Sequence, residues 1–405
     1  ICAEEMERMG LKIPLLIGGA TTSRVHTAVK IAPRYSGSVS HVLDASKAVT
    51  VASLLLSESA NNYVAQTRTE YEELAENHRN RQKDKDYLPY TMALQNKWET
   101  DWESYTPPAP SFLGNKTFDD ISLEEIRPFI DWTPFFSTWM LKGKYPAILE
   151  DNVVGEEAGK LFHEANQLLD RIIDGKLLSA RAVIGFYEAN SDGDDVILSS
   201  HDAGKLHFLR QQGKKGAGIS NICLADFIAP QSSGKRDYIG AFAVTAGIGI
   251  EAMIAAFEAE HDDYQIILVK AIADRLAEAL AEYMHYNVRI THWGYASGEQ
   301  LTNEQLIREE YKGIRPAPGY PACPDHTEKQ TLFELLQAEK NTGISLSESF
   351  AMYPASSVSG FYFSHPGSRY FGLGKIGEDQ VADYARRKQM DKEEIERWLA
   401  PVLNY

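Results

Sequence analysis

Ten residues late in the chain, Arg315-Pro316-Ala317-Pro318-Gly319-Tyr320-Pro321-Ala322-Cys323-Pro324, combine the side chains of a binding loop. Their prolines exclude a helix or a central strand, because proline has no amide hydrogen and fixes φ. The segment reads as a stiff extended loop, and a stiff loop loses little entropy when a ligand arrives. Arg315 suits a carboxylate, which a guanidinium grips through two parallel hydrogen bonds. Gly319 permits close approach to the backbone, and Tyr320 offers a flat aromatic face with a polar tip. The same composition would also make a rigid surface crossover that binds nothing.

A second set of candidates lies on a long helix predicted over 262–286. Leu268, Ile272, Leu276 and Leu280 recur every four residues and mark its buried stripe. Lys270, Asp274, Glu278 and Glu282 recur every four on a different face. The plain reading of that row is a solvated charged face. The functional reading brings Asp274 or Glu278 to a ligand or docking surface, and Glu309, six residues before Arg315, is a similar candidate. Gly247-Ile248-Gly249 with Ala252 imitates a dinucleotide fingerprint after a strand predicted at 239–245. That fingerprint needs a second strand ending in an acidic residue. A helix comes next instead, so no nicotinamide site is expected. The histidines show no metal-ligand spacing, and no metal is expected.

The elements that carry these residues divide into regions of different character. Residues 1–60 read as helix, strand at 13–17, helix at 25–31, strand at 39–43 and helix at 45–56. This is part of a doubly wound, Rossmann-like α/β sheet, too short to be a whole one. Charge and then proline dominate 61–118, which reads as a solvated helix followed by an extended connector. From 119 to 405 the pattern is mixed. It predicts an amphipathic helix at 153–173, a hairpin from 182–187 to 196–199 around Ser191-Asp192-Gly193, an aromatic strand at 360–364 and a last helix at 391–399. The expectation is an α+β domain with a mainly antiparallel sheet and flanking helices.

Composition narrows the function. The 405 residues are 43% hydrophobic and 24% charged, values of a packed globular chain. A net charge of −16 argues against nucleic acid or an anionic membrane as partner. No apolar run approaches the ~18 residues of a membrane span. Cys2, Cys223 and Cys323 have no paired spacing, which suits a reducing cytoplasm. The chain begins Ile-Cys-Ala-Glu and is expected to be a piece of a longer polypeptide.

The Arg-x-x-x-Gly-Tyr-x-x-x-Pro spacing of the loop resembles the S-adenosylmethionine-binding signature of the cobalamin-dependent methionine synthase activation domain. Asp131-Trp132-Thr133-Pro134-Phe135-Phe136, Cys223-Leu224-Ala225-Asp226-Phe227, Ser357-Val358-Ser359-Gly360 and Tyr384-Ala385-Arg386-Arg387-Lys388 resemble the same family. Gly18-Gly19-Ala20-Thr21-Thr22-Ser23 is similar to the end of its cobalamin-binding domain, although small residues also serve any strand-to-helix turn. The resemblance implies a C-terminal part of a cobalamin domain at 1–60 and an S-adenosylmethionine-binding activation domain at 119–405.

It also implies functional residues. Asp131, Arg315, Tyr370 and Phe371 match family binding positions, and Ala317, Gly319 and Tyr320 follow from the shared loop. Arg315 suits the ligand's carboxylate and Asp131 a cationic or donor group. Tyr320, Tyr370 and Phe371 suit adenine or cation–π contact with the sulfonium; on the functional reading of the carboxylates above, Asp274, Glu278 or Glu309 would offset its charge. Each has a plainer alternative: Asp131 as a turn cap, Tyr370 and Phe371 as core aromatics. Gly18, Gly19 and Ala45 are expected corrinoid contacts. The family's Asp-x-His-x-x-Gly motif, which ligates cobalt, is absent from this sequence.

The implied task is repair. One electron and a methyl group from S-adenosylmethionine restore oxidised cobalamin, with the cobalt as nucleophile and no catalytic side chain. The implied partners are the protein's own cobalamin domain and a flavodoxin-type electron donor, docked at Arg210/Lys214/Lys215 or Arg386/Arg387/Lys388. Two rivals stand beside this reading. One is a free-standing S-adenosylmethionine-dependent methyltransferase, against which the missing glycine-rich loop counts. The other is a non-enzymatic corrinoid-binding module.

Overall fold

The structure, a computed structural model, describes residues 2–18, 23–42, 45–57, 59–83, 87–199 and 204–405. They form two compact units, Ile1–Asp86 and Tyr87–Tyr405.

In the first unit α1 (Cys2–Arg8) precedes β1 (Leu15–Gly18), then α2 (Arg24–His26), which continues as a π-turn over Thr27–Ile31. β2 (Val39–Val42), α3 (Ala45–Leu55) and α4 (Ala60–Lys83) follow. β1 and β2 pair in parallel, Leu15 opposite Val39, as the alternation of strand and helix predicts. Ser23 caps α2 by accepting from the His26 amide at 3.1 Å. Buried Tyr35 ties the turn before β1 into the core, donating to Ile13 O at 2.7 Å.

The second unit begins with α5 (Tyr90–Gln95), β3 (Gly114–Ile121), α6 (Leu123–Ile126), α7 (Thr133–Thr138) and α8 (Gly155–Asp174). Next come β4 (Ser179–Asp192), β5 (Asp195–Leu198), β6 (Lys205–His207) and β7 (Asp237–Ile248). The helices α9 (Ile250–Ala259), α10 (Asp263–Asn287) and α11 (Asn303–Ile307) lead to α12 (Glu328–Leu336) and α13 (Ala338–Thr342). A short hairpin of β8 (Ser345–Leu346) and β9 (Met352–Tyr353), then β10 (Ser357–Tyr362), α14 (Glu378–Lys388) and α15 (Lys392–Leu399) complete the unit.

Its main sheet is antiparallel, in the order β10-β7-β4-β5-β6, with β3 on the other half of β4. Side chains alternate across it as the strand pleat requires. Ala180, Ala182, Ile184 and Phe186 of β4 face the core that holds α8 and α10. Val183, Tyr187 and Ala189 face the core that holds α12 and α13. The α+β expectation therefore holds for this unit. The predicted hairpin is present, but β4 runs on to Asp192 because its alternation continues through buried Ala189 and Ser191.

One expectation changes. The connector expected over 61–118 is shared between the units. α4 belongs to the first, where the Tyr71 hydroxyl accepts from the His41 amide at 2.7 Å. The proline-rich stretch is laid on the second: Trp98 packs edge-on against Phe227, and Trp293 Nε1 donates to Pro108 O at 2.8 Å. The dinucleotide-like glycines turn β7 at Gly249 into α9, and a second helix follows.

Candidate functional site

The proline loop is pinned to the free edge of β10. Ile314 and Phe363 exchange both backbone hydrogen bonds at 3.0 Å, and the Phe361 amide donates to Pro316 O at 2.9 Å. Pro316 has no amide to leave unpaired, so the ladder ends there without cost. Gly360 makes this docking possible, since a Cβ there would stand 2.6 Å from Pro316 O. The loop then turns on itself. Gly319 donates to Cys323 O at 2.7 Å and Tyr320 to Ala317 O at 3.1 Å. Gly319 takes φ +98°, and a side chain would drive into the His326 imidazole. The Leu373 amide donates to Pro321 O at 2.8 Å, which draws Tyr370, Phe371 and Gly372 alongside.

The result is a cavity of about 470 Å³. Arg315, Ala317 and Tyr320 from the loop, Tyr370 and Phe371 from the segment beside it, Glu278 from α10 and Glu309 converge on it. Arg315 is held from behind. Its Nη1 pairs with Glu282 Oε2 at 2.7 Å, donates to Tyr311 Oη at 2.9 Å and meets His285 Nδ1 at 3.3 Å. These protein partners all sit on Nη1, and the side chain is one-fifth exposed. Among the described residues the other edge of the fork has no protein partner. Burial works against the Arg315 charge, but Glu282, Tyr311 and Tyr370 hold it well above its ordinary range.

His285 is fully buried and stays neutral, pushed down by burial and then by Arg289 and Arg315. Behind it Arg289, also fully buried, binds Glu299 through Nε and Nη2 at 2.8–3.0 Å. Burial raises the Glu309 carboxyl, with Arg315 pulling the other way. Burial and the Glu278 carboxylate raise the Tyr320 phenol.

This arrangement, a fixed guanidinium facing carboxylates between aromatic faces, is built to take a small zwitterionic or cationic molecule with an aromatic group. Residues 122–389, all within the second unit, match the family described as the vitamin B12 dependent methionine synthase activation domain. The chain belongs to that family. A crystal structure of the MetH reactivation domain bound to AdoHcy is 56% identical, with a TM-score of 0.76, over 79% of this chain and 99% of that one.

The other expected residues fall as follows. Gly319 shapes the loop turn beside the cavity rather than lining it. Asp131 is not among the lining residues; its Oδ1 accepts from the Thr133 amide at 2.9 Å, the turn-capping contact its sequence also allows. Asp274 is exposed and accepts from Ser356 Oγ at 2.9 Å. Gly18 ends β1, where a Cβ would stand 2.9 Å from Val42 Cγ2, so strand packing accounts for the glycine. Gly19 lies outside the described residues. Ala45 opens α3, with its side chain outside them.

The two basic clusters are corrected in part. Arg210 is fully buried between Asp194 and Asp226, at 2.5 and 2.7 Å. Arg387 is paired with Asp195 and Asp383, and Lys388 is buried against Asp325 and Glu328 at 2.8 and 2.6 Å. Arg210, Arg387 and Lys388 are thus held in internal ion pairs of the activation domain, whereas Lys214 and Arg386 are exposed. Sequence reasoning also missed Tyr311, His285 and Arg289. The available signal was polar residues at Glu282, His285 and Arg289, spaced along one face of an otherwise apolar helix end.

Proposed function

We propose that the second unit binds S-adenosylmethionine in the Arg315 cavity and presents it for reductive remethylation of cobalamin within a methionine synthase. The observation that carries this is the free edge of a guanidinium already fixed by Glu282 and Tyr311, facing two carboxylates. The relative at 56% identity, described as bound to AdoHcy, supports the same ligand class.

In this reading Arg315 takes the carboxylate through its open edge, and Glu278 and Glu309 face the cationic part. Tyr320, Tyr370 and Phe371 pack on the flat adenine or against the sulfonium. Asp131, as a further ligand contact, rests on the resemblance alone. The protein's work is positioning: held groups convert a loose encounter into a near-attack geometry. Bound cobalamin would supply the nucleophilic metal. Gly18, Gly19 and Ala45 as corrinoid contacts rest on the resemblance, and we assign no cobalamin step to residues 1–86. The partners in this proposal are the protein's own cobalamin domain and a flavodoxin-type donor in the cytoplasm.

Calorimetric titration of the 1–405 chain with S-adenosylmethionine tests the reading. Saturable binding at one site per chain is expected. A folded chain that takes up none of it, even at high ligand concentration, overturns it.

A further inference from the structure

Tyr311 stands behind Arg315, outside both the loop signature and the cavity wall. It lies four residues before Arg315, is buried, and touches Arg315 and Tyr370 at once. We propose that Tyr311 is a positioning residue that aims the Arg315 guanidinium and the Tyr370 hydroxyl together at the ligand's carboxylate. The proposal rests on the S-adenosylmethionine reading of the cavity and deepens it.

Arg315 Nη1 donates to Tyr311 Oη at 2.9 Å, and the Arg315 amide donates to Tyr370 Oη at 3.0 Å. The two phenol oxygens are 3.0 Å apart and share one more hydrogen bond. Each phenol owns a single hydrogen. If Tyr370 donated to Tyr311, the buried Tyr311 hydrogen would be left facing Arg315 Nη1, itself a donor. Among the described contacts it would have no acceptor, and a buried unmet donor is costly. So Tyr311 donates to Tyr370. Tyr370 Oη then accepts from both the Arg315 amide and Tyr311, and its own hydrogen has no protein acceptor among those contacts.

Tyr370 is the partly exposed member of the pair and lines the cavity. Its hydrogen therefore points to whatever fills the cavity beside Arg315. A guanidinium edge and a hydroxyl hydrogen side by side make a donor set for a carboxylate. The Tyr311 ring is itself held in place: the Arg289 guanidinium lies 4.3 Å from its centroid, and His285 packs edge-on at 4.9 Å.

The test is titration of wild type, Tyr311→Phe, Tyr370→Phe and the double variant with S-adenosylhomocysteine and with 5′-methylthioadenosine. The second ligand lacks the amino-acid tail. Tyr311→Phe should weaken S-adenosylhomocysteine about tenfold, the loss of roughly one hydrogen bond. The double variant should lose clearly less than the product of the single losses, because Tyr311 acts partly through Tyr370. Methylthioadenosine binding should stay within about twofold, the scatter of independent effects. Unchanged S-adenosylhomocysteine binding, fully multiplying losses, or an equal loss for both ligands would overturn the proposal. A wild-type chain that bound no S-adenosylhomocysteine would overturn the cavity reading itself.

Discussion

Arg315 keeps its charge where burial alone would weaken it, because Glu282 and Tyr311 hold its inner edge and Tyr370 lies nearby. Its outer edge should therefore carry much of the ligand's carboxylate binding. Arg315→Ala is expected to weaken S-adenosylmethionine roughly ten- to hundredfold, since a charge-assisted hydrogen bond contributes about 1.5–3 kcal/mol. Calorimetry on the folded variant measures this, and unchanged affinity would remove Arg315 from the site. Asp237 presents the opposite situation. It is buried with no cation among its described contacts, and its oxygens accept only the Ala229 and Tyr238 amides, each at 2.7 Å. Burial pushes its carboxyl up to about 7 despite those amides. The folded chain thus holds this proton more tightly than the unfolded chain does. The resulting stability is complete below the ordinary carboxylate range and is lost as pH rises through about 7. Urea unfolding should show this contribution falling between about pH 4 and about pH 7 and levelling off above, with a smaller fall in Asp237→Asn.

At the scale of elements, the site depends on how the proline loop docks onto β10. Gly360→Ala places a methyl 2.6 Å from Pro316 O, a contact only backbone movement can relieve. The loop should lift from the strand, weakening S-adenosylmethionine binding by more than about tenfold, as misplacement of a site by an ångström commonly does. The same change should cost stability, on the order of 1–3 kcal/mol for overpacking. Binding retained at wild-type strength would show that the loop is held elsewhere. The charged row on α10 shows why an element cannot be read as uniform. Lys270 and Asp274 are exposed, Glu278 is half-buried at the cavity, and Glu282 is buried against Arg315. Along one helix the row thus passes from solvent to the cavity wall.

At the scale of the molecule, all residues lining the cavity belong to the second unit. A chain of residues 87–405 should bind S-adenosylmethionine as tightly as residues 1–405, and a loss above about threefold would give the first unit a part in binding. The 1–405 chain is also expected to form no methionine from methyltetrahydrofolate and homocysteine, because nothing in its sequence resembles a site for either. Mixed with a separate cobalamin domain in the cob(II) state and a reductant, it should support remethylation at a rate that rises with its concentration. A tether would otherwise supply an effective concentration on the order of millimolar. Methionine formed by this chain alone would contradict its reading as a repair module.

Short-range chemistry made much of this protein legible. The four-residue apolar period of α10, the proline-stiffened loop and the turn at Gly193 each depend on residues close in sequence, whose backbone preferences act wherever the chain folds. Loop spacing likewise picked out Arg315, Ala317 and Tyr320, which the fold brings to one cavity. What sequence could not decide was which charges remain free. Arg210, Arg387 and Lys388 read as a docking surface, yet Asp194, Asp195, Asp325 and Glu328, distant from some of them in the chain, neutralise them within the fold. Tyr311 and Tyr370 are 59 residues apart, and only the loop's attachment to β10 and the segment beside it brings their hydroxyls within 3.0 Å. Desolvation makes such pairings strong, and desolvation is set by what packs overhead, a property of the folded whole rather than of any local pattern.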